Sequence, residues 1–597
     1  MTKRCVISWR AIRSEAVLEI EMSMTELPAW AEEMRDLFKS GSVSQFLLHG
    51  NVFDMIAVPG LQELRLLSLG AFLDEVMFEQ YQVILHYDRG KGIRATRGSE
   101  DWGEWLRLAL GEQSSSIVQL REPGAAMELI DRYLLRSLNL RSLRGNEYTP
   151  HKIAVIIDFA EFVIPRGDPL QLGGAFSSNV VKVLGWANDP AILRSDIVTV
   201  LIAEGLHDLN SLAVENPHAA ALNIPLPGEP EMSAYVQTLG DTVLRELPSK
   251  SELPLDQLGQ RMTGLSRVGA QTMLARALRN GEAITPAWLT RMKKERIEKE
   301  CQGLLEFLES PFTLDHLSGS EAAKNWLRED AVLMRRGAHS ALPMGYLITG
   351  RIGTGKTFLI QCWAGELGIP CVIFKNFRDR WVGATESNLE KIFSILHALG
   401  QVVVFVDEAD QAAGKREGRD TDGGLSGRVY AMLAKEMSDT RNRGRIIWVF
   451  ATSRPDLLEV DLKRQGRLDV HIPLFPPETP KEVKDLFLAI AKKLKVALTE
   501  GDIPEVPREL ELGGNEIEGI LVRALRVQAL AASPRPFRDV LAEVLGEIRP
   551  SAHRLKLEYM DLIAVKECTD SRFLPERFRI MEPEELDRKI EEMRRYV

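Results

Sequence analysis

Short apolar runs punctuate the chain at intervals, and most of them are of strand length. Phe46 to Gly50, Ile153 to Ile157, Ile197 to Ala203, Tyr346 to Thr349, Cys371 to Phe374, Val402 to Val406 and Ile446 to Phe450 are apolar on both of the faces that a strand presents. That pattern is expected of parallel strands covered by helices on each side, not of a sheet with one wet face. Between them lie stretches of helical period, such as 357 to 367 and 511 to 525. Strands alternating with helices predict an α/β chain of the doubly wound kind. No run approaches the roughly 18 apolar residues that a spanning helix needs, so no membrane span is expected.

The two halves repeat. Asp158, at the end of IAVIID, precedes Asp407 of VVVFVD by 249 residues. Ala203 precedes Ala451 by 248, Ile224 of IPLP precedes Ile472 of IPLF by 248, and Gly264 precedes Gly513 by 249. A near-constant offset across four segments implies two tandem modules of one fold. FLLHG and YLITG, ending at Gly50 and Gly350, are 300 apart, so the first module carries about 50 extra residues before its acidic strand.

Length and composition narrow the partners. At 597 residues the chain exceeds what one core of about 100 to 200 residues can hold. A net charge of −10 gives no basic field for a phosphate backbone, which makes nucleic acid a poor partner. The five cysteines lie far apart without metal-ligand spacing. They read as reduced thiols of a cytoplasmic protein, and Glu15, Glu19 and Glu21 interrupt any secretory apolar run near the start.

Chemistry concentrates after Thr349. GRIGTGKT (Gly350, Arg351, Ile352, Gly353, Thr354, Gly355, Lys356, Thr357) fits a phosphate-binding loop at every fixed position. Gly350, Gly353 and Gly355 allow a tight turn whose N–H groups face phosphates, and the helix beginning at Thr357 and Phe358 presents its positive end to the same anion. Lys356 is expected to reach the outer phosphates of ATP or ADP, and the Thr357 hydroxyl to bind Mg2+. Fifty residues later Asp407 and Glu408 end a buried strand. Asp407 suits the magnesium ion, and Glu408 suits the orientation of an attacking water.

With these motifs the chain resembles the AAA ATPases, over about 317 to 531, chiefly through IIWVFATSRPDLLEVDLKRQGRLDVHIP (446 to 473). The resemblance implies two RecA-like P-loop sandwiches, each followed by a small α-helical lid. The implied divisions are a degenerate module (1–230), its lid (231–300), a linker and entry helix (301–330), an active ATPase core (331–477), and a second lid with C-terminal helices (478–597). It places Ser453 where the family has its sensor asparagine, and Arg464 and Arg467 on the two arginine fingers. Serine offers one hydroxyl in place of an amide, so its hold on phosphate or water is expected to be weaker. Trp381, Val382 and Gly383 match the family's pore triplet, which grips extended polypeptide; packing of Trp381 into the core is the alternative. The Gly-rich loop 411 to 427 fits either a second pore loop or a plain surface loop. The charged helix 583 to 597 reads as packing on the lid or as a docking tail, and His471 as structural.

The first module lacks this chemistry. NVFDMIA follows Gly50, Phe159 stands where Glu408 stands, and Asn216 and Ala219 take the finger positions. The resemblance therefore implies a homo-oligomeric, hexameric ring in which the second module hydrolyses ATP to remodel, unfold or disassemble a protein or peptide substrate. The competing readings are an ATP-dependent switch or scaffold that threads nothing, and, disfavoured by charge, a DNA-directed AAA protein.

Overall fold

The computed structural model describes residues 27–59, 64–110, 121–144, 151–168, 173–301, 303–375, 385–410, 425–507, 510–531, 535–549 and 553–595. The chain divides into two units, Met1–Lys293 and Lys294–Val597. The proposed pore triplet Trp381, Val382 and Gly383 lies outside the described residues, as does most of the Gly-rich loop after Asp410.

Unit 1 contains β1 (Gln45–Gly50), β2 (Met55–Pro59), β3 (Leu64–Ser68), β4 (Val83–Asp88), β5 (Gly92–Arg97), β6 (Ile153–Ile157), β7 (Ile197–Ile202) and β8 (Ala219–Ile224). Its main sheet runs β5-β4-β6-β7-β1-β8, parallel except for the β4–β5 hairpin. Unit 2 contains β9 (Leu305–Phe307), β10 (Gly345–Thr349), β11 (Cys371–Phe374), β12 (Val402–Val406), β13 (Ile446–Thr452) and β14 (Val470–Pro473). Its order, read from the antiparallel edge, is β9-β11-β12-β13-β10-β14. The two sheets share one topology: a central run of five parallel strands in corresponding order, plus one antiparallel edge strand. The edge strands differ in origin, since β5 follows β4 through a tight turn whereas β9 enters ahead of every other strand in its unit.

Burial explains the runs of apolar residues. Every residue of β6, β7, β10, β12 and β13 is buried, because helices cover both faces of each sheet. In unit 2 Trp363 and Trp448 are among the largest fully enclosed side chains. The extra residues of the first module are the β2–β3 ribbon, β5 and the Ser99–Leu110 helix, all placed between β1 and β6, while the Pro123–Arg144 helix precedes the acidic strand as Thr385–Leu399 does in unit 2. The long helix 480 to 493 starts with a capping box, Thr479 with Glu482, and with Pro480 at its first turn. It belongs to a separate apolar cluster with the Gly514–Leu530 and Phe537–Glu547 helices. A further cluster joins Tyr559, Leu562 and Ile563 to Phe578 and Ile590. The terminal Pro583–Arg594 helix therefore packs on the Arg554–Glu567 helix. No helix among the described residues is long and apolar enough to cross a membrane.

In unit 1 the segment after β1 ties the sheet to its helical neighbour. Buried Asp54 accepts from the amides of Arg267 (2.8 Å) and Val268 (2.9 Å), the first two residues of the Arg267–Arg279 helix, while Ser266 accepts from Gly269. A carboxylate at this position meets orphan N–H groups and the positive end of the helix together. Ser266 and Gly513 are the N-cap residues of corresponding helices. The pairing of Gly264 with Gly513 is thus corrected by two residues. Asp54→Ala should cost about 2 kcal/mol locally, from the loss of hydrogen bonds to a charged group. Hydrogen exchange at Arg267 and Val268 should accelerate about 30-fold, while amides of the unit 2 sheet keep the parent rate.

Candidate functional site

The site lies where β10, β12 and β13 end together at the carboxyl edge of the unit 2 sheet, the place at which open α/β sheets bind ligands. Parallel pairing sets Thr349 beside Thr452, and Val406 beside Phe450. The residues that follow each strand therefore converge: Gly350 to Lys356 after β10, Asp407 and Glu408 after β12, and Ser453 after β13.

Backbone geometry forms the cradle. Gly350 has φ 138°, and a Cβ there would lie 2.3 Å from the Leu474 carbonyl oxygen. Gly353 (φ 87°) takes a conformation that side chains resist. The loop then turns into the Lys356–Leu367 helix. Lys356 Nζ donates to the carbonyls of Gly350 (2.8 Å) and Arg351 (3.0 Å) and to Ser453 Oγ (2.8 Å). All three acceptors are neutral, and burial pushes the ammonium down to about 8 while Asp407, Asp410 and Asp561 oppose that shift.

Thr357 Oγ1 donates to Asp407 Oδ2 at 2.9 Å. These hard oxygen donors, one at the helix start and one at a strand end, fit the coordination of a magnesium ion. The closed cradle, the partly buried cation and this oxygen pair together suit a magnesium-bound nucleotide. Asp407 Oδ1 also accepts from the Glu408 amide (2.9 Å), a turn that holds Glu408 at φ 48° with its side chain exposed. A non-glycine residue in that region costs about 1 kcal/mol or more, a strain often found at functional positions. Thr452 Oγ1 donates to Asp410.

Arg464 and Arg467, which the resemblance puts at the finger positions, lie on one short segment. Arg464 is exposed and donates to Asp461 Oδ1 (3.0 Å), whereas Arg467 is largely buried and donates to the Asp461 carbonyl (2.8 Å) and carboxylate. His471 has both ring nitrogens on carbonyl oxygens, of Glu567 and Leu468. Ile352 is exposed, and Phe358 sits edge-on to Phe312.

A cavity of about 400 Å³ adjoins the P-loop at Gly353 and Gly355. Phe358, Ile490 and Asn515 line it, and so does Phe573 from the C-terminal segment. The lid meets the P-loop directly: the Gly514 amide donates to the Gly353 carbonyl (2.9 Å), and Glu516 accepts from Gly513. Sequence reasoning missed one set of contacts here. Arg351 is buried, donates to the Glu511 carboxylate (2.9 Å) and carbonyl (2.8 Å), and lies 3.6 Å from Asp561, which is buried as well. A charged residue inside a glycine-rich loop was the available signal, since a buried cation needs partners; nothing in the spacing locates them.

The corresponding place in unit 1 keeps the backbone and loses the chemistry. Phe159 has φ 54° and an exposed side chain after Asp158, as Glu408 does after Asp407. Its ring lies 5.5 Å from that of Phe53. Asp158 faces His86 Nδ1 at 3.3 Å, and Asp74 faces Nε2 at 2.8 Å. Burial lowers the pKa of His86, but the hydrogen bonds with Asp158 and Asp74 outweigh it and raise it to about 9.

Comparison with known proteins agrees with this geometry. Residues 346–475 match the model of the ATPase family associated with various cellular activities (AAA). Residues 21–225 match the N-terminal Rossmann-like domain of an AAA+ chaperone family, and 233–302 its second helical domain. The chain belongs to the AAA family of ATPases. The Protein SAV of Sulfolobus acidocaldarius is 34% identical over 156 residues, 26% of this chain and 20% of that protein. The ATP-dependent zinc metalloprotease FtsH 2 of Salinibacter ruber is 30% identical over 249 residues, 38% of this chain and 36% of that protein. The chloroplastic ATP-dependent zinc metalloprotease FTSH 1 of Arabidopsis thaliana is 25% identical over 435 residues, 71% and 58%. This AAA chain thus spans less than two thirds of each of these relatives. Its sequence has no His-Glu-x-x-His pair, and no cluster of metal-ligating side chains occurs among the described residues.

The His86 cluster yields a pH dependence with a definite sign. Its pKa in the fold, about 9, exceeds the ordinary 6.5, so its stabilising effect is full below about pH 6.5 and is lost as the pH rises through 9. His86→Gln should lower the denaturant midpoint of unit 1 most at pH 6, and the gap from the parent should nearly close by about pH 10.

Proposed function

We propose that unit 2 holds this AAA protein's one complete ATPase site and that the chain couples hydrolysis to work on a protein substrate within an oligomeric ring. The observation that carries this reading is a pair of hydrogen bonds, Lys356 to Ser453 and Thr357 to Asp407, that join the P-loop to the residues following β13 and β12. In this reading Lys356, seated on carbonyls, turns toward the outer phosphates of ATP, and the amides of Gly350 to Phe358 line the triphosphate. Thr357 and Asp407 hold magnesium, which supplies neutralisation of charge on the phosphates. Exposed Glu408 orients the attacking water and accepts its proton. Ser453 reaches the same phosphate group with one hydroxyl. Arg464 and Arg467, at the family's finger positions and paired with Asp461 of their own segment, complete a neighbouring subunit's site, where an arginine supplied in trans can add roughly 10³ to 10⁵ in rate.

The first module serves as an architectural layer. No lysine follows Gly50, and Phe159 takes the glutamate position, so neither phosphate binding nor water activation has a residue to perform it there. Protein remodelling is supported by the AAA+ chaperone domains matched in the first module and by the likeness of Trp381, Val382 and Gly383 to the family's pore triplet. Peptidase chemistry, named in the FtsH relatives, is not part of the proposal.

Glu408→Gln should bind ATP with about parent affinity, lower turnover at least 100-fold, and accumulate an ATP-bound assembly visible by size-exclusion chromatography. Lys356→Met should lose ATP binding by the same measurement. Parent-like turnover in either variant would refute the assignment.

A further inference from the structure

The Arg554–Glu567 helix is more than a tail. Seven successive residues, Tyr559 to Val565, are buried, so the helix is enclosed on all sides over that stretch, as a core helix is. The Pro583–Arg594 helix covers it through Ile590, and Lys566 pairs with Asp587 at 2.6 Å. Its inner face touches two separate parts of the ATPase machinery.

At its middle, Asp561 lies 3.6 Å from Arg351 of the P-loop, and Asp561 Oδ1 is buried without a hydrogen-bond partner. The carbonyl of that same Arg351 accepts from Lys356 Nζ. Tyr559, two residues earlier, donates to Asp456 at 3.3 Å, and its ring lies under Arg454, which follows Ser453 directly. At the other end, about 12 Å along the axis from Tyr559, Glu567 pairs with Lys463, the residue before Arg464. The Glu567 carbonyl meets His471 Nδ1 at 2.7 Å while His471 Nε2 meets the carbonyl of Leu468, next to Arg467. Thr569 accepts from the His471 amide. Both flanks of the finger segment are therefore held by the helix whose middle holds the P-loop.

A rigid helix with a buried charge pair at one point and an ion pair at another transmits displacement as a body. The P-loop end is stiff, because removing one partner leaves a buried charge exposed to the low-polarity interior. We propose that the Arg554–Glu567 helix is a strut that sets Arg464 and Arg467 according to the position of the P-loop in the same chain, with Asp561 and Glu567 as its positioning residues. This rests on the reading that the fingers act on a neighbour. Asp561 touches no finger, so an effect of Asp561 on finger delivery requires transmission along the helix.

The test separates donor from acceptor subunits in full-length chains. Arg467→Ala supplies an intact nucleotide site without its finger; Glu408→Gln supplies fingers while holding nucleotide without turnover. Each alone should be nearly inactive, and an equimolar mixture should regain ATPase activity. Adding Asp561→Asn to the donor should then reduce the mixture's kcat about fivefold with the KM of the acceptor site unchanged, and Glu567→Gln in the donor should do the same. Replacing the pair in the donor by Arg351→Met with Asp561→Leu, which keeps the packing, should reproduce the loss. Mixtures with Asp561→Asn donors as active as those with unmodified donors would overturn the strut and leave the ATPase assignment intact. No activity in the mixture with unmodified donors would overturn delivery in trans, and the strut with it.

Discussion

The parallel register of β10, β12 and β13 is the constraint on which the site depends. Three strands ending at one level bring a glycine turn, a pair of acids and a serine from 100 residues of sequence to within a few ångströms. The pairing of Thr349 with Thr452 puts Ser453 opposite the start of the P-loop, and the Lys356 to Ser453 hydrogen bond follows from it. A slip of one residue would turn every buried side chain of a strand toward the opposite face. Since both faces of these strands are enclosed, such a slip has no favourable alternative, and the chemistry inherits the precision of the core.

Unit 1 shows that this constraint is independent of catalysis. Its sheet has the same order and ends its acidic strand in the same left-handed residue, yet that residue is Phe159 in place of Glu408. The turn persists because the backbone after a buried strand must reverse at once to feed the next element. What has been replaced are the partners of each acid. Asp407 faces a hydroxyl, whereas Asp158 faces His86, which also contacts Asp74. Asp54, in the segment matching the P-loop, occupies the N-terminus of a lid helix with its own carboxylate. The module thus supplies from its side chains the negative charge that a nucleotide would bring, and its lid is fastened without a ligand.

Legibility in the sequence followed the range of the forces involved. Local rules were sufficient for the parallel strands, the P-loop and the acids after Val406, because apolar runs and glycine turns report their own backbone. The 249-residue offset between Asp158 and Asp407 correctly linked two strand ends that the topology also equates. The lid pairing drifted by two residues, since Gly264 and Gly513 share a residue type while the helix N-caps are Ser266 and Gly513. The antiparallel edge strands were not legible, because Leu305 to Phe307 is too short for a periodicity and β5 belongs to an insertion. The charged segment after Pro583 gave no sign of its partner, for its few apolar residues, Leu586, Ile590 and Met593, acquire meaning only beside Tyr559 and Phe578.

The cluster of Arg351, Glu511 and Asp561 was the least legible feature, since its members lie up to 210 positions apart. Arg351 occupies a P-loop position where the fold requires no side chain, so its burial serves something other than the turn. Asp561 pays a heavy desolvation penalty there; burial raises its pKa to about 7 against the opposing effect of Arg351. A buried pair of this kind is weak evidence for stability, because apolar residues of equal volume do as well or better. Its value lies in specificity of position: one guanidinium joins the loop, the lid segment at Glu511 and the C-terminal helix at Asp561, and an apolar contact could slide where this one cannot. A phosphate-binding loop that moves with its ligand would then carry two elements with it.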